Sequence, residues 1–291
     1  MYSIARLLIG LVFLLIASAS DLKSRRVPDG LWIVLAVLAM GILAVELHSS
    51  GAPLRFMLIF APIIFFLCEA FVEVPPLYEK SKLNFLAVLW FLVPIVSLVL
   101  LISTSFNESG LWPLIAIPVM MFFAFVLYYL RILYGGADAK AVIVLAVLVP
   151  YYPYIEGITN YGSTPELIGA MESLFPFVLV VLLNSSLILI FLPLIYFLLN
   201  LKNGDIGFPQ MFFGFRSELK NAKESFVWPM EYYKNGERKI QLMPRGVDED
   251  IYEDFSEGEQ IWVTPKIPFI VPMCVGFFIS FLIGNPLLHV L

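Results

Sequence analysis

Long apolar runs separated by short polar breaks dominate the chain. Eight runs have the character of a membrane helix, at 4–20, 31–47, 56–72, 85–103, 112–134, 139–154, 175–199 and 267–290. About 20 mostly apolar residues are needed to cross a bilayer, and the sixth run is short and ends in prolines. Pro62, Pro94, Pro118 and Pro193 lie inside runs. They predict kinks and not breaks, because neighbouring helices satisfy the carbonyls that a proline frees. The one sizeable polar segment is 200–266. In it Asn235-Gly236 stands between Tyr232-Tyr233-Lys234 and Arg238-Lys239-Ile240-Gln241-Leu242, which predicts a β-hairpin with a two-residue turn. Ile261-Trp262-Val263-Thr264 predicts a further strand. The expected architecture is therefore an all-α polytopic membrane protein of about eight transmembrane helices with a small β-containing domain. Residues 1–199 form the helical bundle, 200–266 the small domain, and 267–291 a final transmembrane helix.

Composition agrees. The 291 residues are 60% hydrophobic and 14% charged, against about 25% charged in soluble domains. Cys68 and Cys274 lie within apolar runs and read as small hydrophobes, with no CxxC spacing for metal or redox chemistry. His48 and His289 are isolated. These counts argue against a histidine-based metal site and a Ser/His/Asp triad, and no cofactor is expected. Ala17-Ser18-Ala19 resembles a signal-peptidase site, but Asp21-Leu22-Lys23-Ser24-Arg25-Arg26 and further runs follow directly, so the first run reads as a retained helix.

The net charge of −5 matters less than where the cations fall. With eight spans, the connections after the first, third, fifth and seventh share one side. They hold Lys23, Arg25 and Arg26; Lys80 and Lys82; Arg131 and Lys140; and nine more cations in the polar segment. Only Arg6 and Arg55 fall opposite. The positive-inside rule makes the cation-rich side cytoplasmic, and with it the small domain. Asp21 and Asp138 then both lie at the cytoplasmic membrane edge, although 117 positions separate them.

Each aspartate taken singly has a plain structural reading. Asp21 can be a helix-end charge anchored by Lys23, Arg25 and Arg26. Asp138, in Gly135-Gly136-Ala137-Asp138-Ala139-Lys140, can be an N-cap after a glycine turn, in the positive field of a helix N-terminus. The two glycines let the backbone leave a helix sharply or approach something closely. Lys140 can snorkel to headgroups or balance the carboxylate. Taken together the pair suggests more. Two carboxylates held close share a proton; one can activate a water while the other donates to a scissile carbonyl. That is aspartic-protease chemistry, and it needs no histidine, cysteine or metal.

These residues resemble a known family. Asp21-Leu22-Lys23-Ser24-Arg25-Arg26-Val27-Pro28-Asp29 followed by Gly135-Gly136-Ala137-Asp138-Ala139-Lys140 is similar to the type IV prepilin peptidases. These are membrane aspartic proteases of the GxGD type, with a Gly-x-hydrophobic-Asp motif. The archaeal preflagellin and prepilin peptidase branch is the nearest in pattern. Phe212-Phe213-Gly214-Phe215-Arg216 and Ile261-Trp262-Val263-Thr264-Pro265-Lys266-Ile267-Pro268-Phe269 resemble that branch's late cytoplasmic segment. The resemblance implies that Asp21 and Asp138 are catalytic, that Gly135 is the motif glycine, and that Ala137 holds its hydrophobic position. Gly136 and Lys140 complete the motif. It further implies removal of a short basic leader from pilin-like or archaellin precursors at the cytoplasmic face of the plasma membrane. Membrane lipid is a partner and nucleic acid is not. Without the cysteine tetrad of many bacterial members, peptidase activity without methylation is expected. The run pair within 56–103 suggests an inserted helix hairpin.

Two alternatives stay open on the residues alone. A transporter or channel would use intramembrane carboxylates, but would show paired half-repeats, and none is evident. A presenilin-like protease would have tyrosine before its first aspartate and a Pro-Ala-Leu motif; Ser20 precedes Asp21, and that motif is absent. Among other acids, Asp29 reads as an N-cap, Glu46, Glu69 and Glu73 as solvated near span ends, and Asp205 as a turn residue. The acidic stretch 248–259 reads as a solvated loop, with attraction of a basic leader as the alternative.

Overall fold

A computed structural model of the protein describes residues 2–72, 74, 78–79, 82–133, 135–161, 175–234, 236–242, 251–252, 255–256 and 258–286. Glu73, Asn235, His289 and, in the acidic stretch, Asp248, Glu249, Asp250, Glu253, Asp254 and Glu257 lie outside them. The chain divides into two compact units, Met1–Ser185 with Pro268–Leu291, and Ser186–Ile267.

The larger unit is helical. Its elements are α1 (Tyr2–Ser24), α2 (Asp29–Ser49), a 3-10 turn (Leu54–Ile59) running into α3 (Phe60–Phe71), α4 (Phe85–Ser105), α5 (Leu111–Tyr129), α6 (Gly136–Leu148), the first part of α7 (Phe177–Ile190) and a last helix, Ile270–Ile283. A two-residue strand pair, β1 (Tyr78–Glu79) and β2 (Lys82–Leu83), joins α3 to α4. α3 and α4 pack together as the expected hairpin.

Six helical stretches among the described residues are long and apolar enough to cross a membrane: Tyr2–Ser24, Asp29–Ser49, Leu54–Phe71, Phe85–Ser105, Leu111–Tyr129 and Phe177–Asn203. Two of the eight expected spans are shorter here. α6 has 13 residues and the last helix 14. At about 1.5 Å per residue α6 is only about 20 Å long, short of a hydrocarbon core of about 30 Å. It stops because Pro150 follows two residues beyond its end.

α6 is nevertheless the centre of this unit. It packs against both α2 and α5, and every residue from Ala141 to Leu148 is buried. A helix apolar on all sides can be enclosed by neighbours on all sides, and this enclosure carries the start of α6, with Asp138, into the bundle. α1 packs along the last helix and α2. Small residues permit close approach: a Cβ on Gly276 would stand 2.7 Å from the Ser185 backbone nitrogen. Asn184 adds interhelical bonds to Ser280 Oγ at 2.8 Å and to the Gly284 carbonyl at 3.0 Å.

Polar residues expected near span ends are partnered and not simply solvated. Glu46 accepts from Arg6 at 2.5 Å, and Arg6 is buried. Glu69 accepts from Trp90 Nε1 at 3.0 Å, tying α3 to α4. A buried polar group without a partner is costly, so folding pairs these groups. Pro94 and Pro118 lie inside α4 and α5 as expected. Pro193 does not kink a single helix; the run divides at Phe191, and Pro193 sits in the first turn of α8 (Leu192–Asn203), where its missing N–H costs nothing.

The smaller unit holds the end of α7, α8, and a three-stranded antiparallel sheet in the order β3 (Phe215–Glu218), β7 (Gln260–Pro265), β4 (Val227–Pro229). A short α9 (Leu219–Glu224) lies between β3 and β4 in sequence. The predicted strand is β7, at the sheet centre. The predicted hairpin is β5 (Glu231–Lys234) paired with β6 (Glu237–Ile240), Lys234 opposite Glu237. Gly236 has φ of 78°, the left-handed conformation that such a turn requires. Phe212 and Phe213 pack with Phe197 around Met211, Met230 and Trp262, while Phe215 packs on a second cluster containing Ile261 and Val263. Asp205 follows Gly204, the left-handed C-cap of α8, and donates its backbone N–H to the Asn200 carbonyl at 2.9 Å. In the acidic stretch Glu259 is paired with Arg238 at 2.6 Å.

Candidate active site

Asp21 lies in the last turn of α1, which runs on to Ser24, beyond the expected end of the apolar run. The chain then reverses at Arg25, whose φ is 56°. Two serines hold that reversal: Ser20 Oγ and Ser24 Oγ donate to the Arg26 carbonyl at 2.8 and 3.2 Å. Pro28 supplies the extended residue before α2. Asp21 is thus presented from a helix end whose following loop is tied back to it.

Asp138 is the third residue of α6; Gly135 is the N-cap. The aspartate is therefore not itself the cap. It is 7% exposed. The backbone N–H groups of Gly135 and of Ile270, at the start of the last helix, are directed at its carboxylate. Its Oδ1 is buried without a hydrogen-bond partner among the described residues. A Cβ on Gly135 would stand 2.5 Å from Asp138 Oδ2 and 3.1 Å from Cγ. Gly135 has φ of −87°, so the glycine is explained by close approach and not by a turn that only glycine can make. A Cβ on Gly136 would meet nothing within 4 Å.

The two aspartates meet in one cleft of about 690 Å³. Its walls are the α1–α2 connection, including Ser20, Asp21, Arg25 and Asp29, and the start of α6, including Gly135, Gly136, Ala137, Asp138 and Lys140. All six residues singled out in the sequence line it. The two carboxylates are near enough to interact electrostatically. The cleft offers space for a short stretch of polypeptide beside a carboxylate pair.

Two sequence readings change here. Asp29 is not an N-cap: Pro28 occupies that position and no side chain caps α2. Instead Asp29 Oδ1 accepts from Lys140 Nζ at 2.5 Å. Lys140 thus neutralises Asp29 and lies over the Phe71 ring at 5.3 Å. Ser20, Ser24, Phe71 and Ile270 were not singled out in the sequence. The serines flank Asp21 one before and three after, which is the available local signal. Ile270 contributes a backbone N–H, which no side-chain pattern announces.

The fold and the cleft define a class: a multi-pass helical membrane protein with two aspartates drawn together from distant helices. Residues 8–83 match the model of the type IV leader peptidase family, and residues 208–285 match the archaeal peptidase A24 C-terminus, type II. The preflagellin peptidase of Methanococcus maripaludis is 26% identical over 289 residues, covering 98% of this chain and 97% of that protein. The preflagellin peptidase of Methanococcus voltae is 25% identical over 220 residues, covering 70% and 87%. That of Methanocaldococcus jannaschii is 27% identical over 182 residues, covering 59% and 71%. The chain thus carries a type IV leader peptidase segment at 8–83 and an archaeal peptidase A24 C-terminal segment at 208–285, is similar to preflagellin peptidases along nearly its whole length, and is a peptidase. The transporter and presenilin-like alternatives have no counterpart among these matches.

Proposed function

We propose that the protein removes the short basic leader of pilin-like or archaellin precursors, with Asp21 and Asp138 as the catalytic pair at the cytoplasmic face of the membrane. The observation that carries this reading is the shared cleft: two acids from helices far apart in sequence line one cavity, and one of them keeps a buried oxygen without a hydrogen-bond partner among the described residues. The printed names of the relatives, preflagellin peptidases, support the substrate class. The excess of cations in the connections that hold both aspartates supports the face.

The chemistry follows from a carboxylate pair sharing one proton. The ionised carboxylate takes a proton from water as its oxygen adds to the scissile carbonyl carbon. The protonated carboxylate gives its proton to the carbonyl oxygen. Collapse of the tetrahedral intermediate breaks the C–N bond. The proton held by the first carboxylate passes to the leaving amine, and the proton on the oxygen returns to the second. Hydrolysis at a helix–leader junction suits a site at the membrane edge, where the apolar part of the substrate stays in lipid. Gly135 leaves room for the Asp138 carboxylate, Gly136 and Ala137 form the first turn that leads to it, and Lys140 lines the cleft beside them.

Asp21→Asn and Asp138→Asn each remove one member of the pair and keep its shape. Each is expected to abolish leader removal from a preflagellin-type precursor in membranes while the enzyme still inserts. Full processing by the double variant would refute the assignment.

A further inference from the structure

Three carboxylates line the cleft, and the proposed chemistry uses two. The third, Asp29, is not a helix cap. Its side chain is 54% exposed, and its one side-chain partner among the described residues is Lys140 Nζ, on a side chain 23% exposed. Asp29 lies eight residues after Asp21, and Lys140 two after Asp138; all four line the same cavity. The pair therefore crosses the cleft from one proposed catalytic segment to the other. An ion pair this open to solvent is weak, and its cation is easily exchanged.

We infer that Asp29 is a specificity subsite for a cationic residue of the polypeptide substrate, and that Lys140 occupies it when no substrate is bound. The inference rests on reading the cleft as the peptidase site. The chemistry recognised is a lysine ammonium or an arginine guanidinium. Asp29 already holds an ammonium by a charge-assisted hydrogen bond, so an incoming cation replaces like with like. The other charges favour exchange over addition. Asp21, Asp29 and Asp138 share the cleft with Arg25, Arg26 and Lys140, so a cation that enters without displacing Lys140 adds to three positive charges. Lys140 has somewhere to go: its ammonium already lies 5.3 Å from the centre of the Phe71 ring, and once released from Asp29 it can stay over that ring or turn to solvent, as long cationic side chains do. A neutral substrate residue has no charge with which to part the pair, and an acidic one can take Lys140 only by leaving Asp29 unpaired in a cleft that already holds Asp21 and Asp138. Discrimination then comes from attraction for the right residue and an obstacle to the wrong one.

The test uses the full chain in membranes and precursors that differ at one residue beside the scissile bond, Lys, Gln or Glu, with neighbouring positions tried in turn. The wild-type enzyme is expected to prefer Lys over Gln by about threefold in kcat/KM, the scale of one exposed ion pair. Asp29→Asn is expected to bring that ratio close to one, and Asp29→Lys to turn the preference towards Glu. Lys140→Gln removes the competing cation and is expected to raise the ratio. A ratio that survives Asp29→Asn, or that Lys140→Gln leaves unmoved, overturns the inference and reduces the pair to a clamp. So does a loss of rate on all three precursors with the ratio unchanged. Because the readout compares substrates cut by one enzyme, this failure leaves the peptidase reading standing. Failure of that reading shows separately, as processing that persists in the Asp21→Asn and Asp138→Asn enzymes.

Discussion

Replacing Gly135 by alanine isolates the contact that sets the position of Asp138. The added methyl would stand 2.5 Å from Asp138 Oδ2, while carbon and oxygen are at ease at about 3.3–3.6 Å. The carboxylate must therefore retreat by roughly 1 Å, and a misplacement of about 1 Å in a catalytic arrangement costs on the order of 100-fold in rate. The backbone does not contribute to this loss. Gly135 has φ of −87° and ψ of 125°, which alanine adopts without strain, and such a substitution stabilises by about 0.4–1 kcal/mol through the unfolded chain. The expected phenotype is a loss of kcat near 100-fold with thermal stability equal to or above wild type. Gly136→Ala is the matched control, because its methyl meets nothing within 4 Å; processing is expected to stay near wild type. The assay is the time course of precursor shortening on gels, with unfolding followed in detergent. Wild-type processing by Gly135→Ala, or an equal loss in Gly136→Ala, would refute the reasoning.

Two further substitutions probe the bundle. Glu46→Ala strands the Arg6 guanidinium, whose side chain is 4% exposed, and breaking such a pair costs about 3–5 kcal/mol; the melting temperature in detergent should fall, and an Arg6→Met/Glu46→Leu double variant should recover most of it. Gly276→Ala drives a methyl against the Ser185 backbone nitrogen at 2.7 Å. It should lower the melting temperature, and Ser185→Ala should not restore it, because a backbone contact remains.

The Asn-Gly hairpin and the strand at Ile261 were legible because their signals are local. Turn chemistry and alternation act over a few residues. The glycine before Asp138 was legible as a requirement for close approach, but its object, the carboxylate itself, was not. Asp29, Glu46 and Glu69 were misread for one reason. Each looked like an end-of-helix acid, and each has a partner that lies elsewhere: Lys140 is 111 residues from Asp29, Arg6 is 40 from Glu46, and Trp90 is 21 from Glu69. Local pattern carries no information about such pairings.

Hydrophobic content and run length suffice to make the chain a bundle of membrane helices, because unpaired backbone in lipid is too costly for any other use of those runs. The order of the two aspartate motifs and their charge surroundings suffice to nominate Asp21 and Asp138. Packing alone decided that α6, too short to span by itself, would be enclosed by α2 and α5 and would carry Asp138 into the cleft that Asp21 lines. Packing also decided that Lys140 would answer Asp29 and not Asp138. The physical reason is the same in both cases. Where an apolar helix buries its faces depends on the shape of its neighbours, and a charge takes the counter-charge that this burial brings within reach.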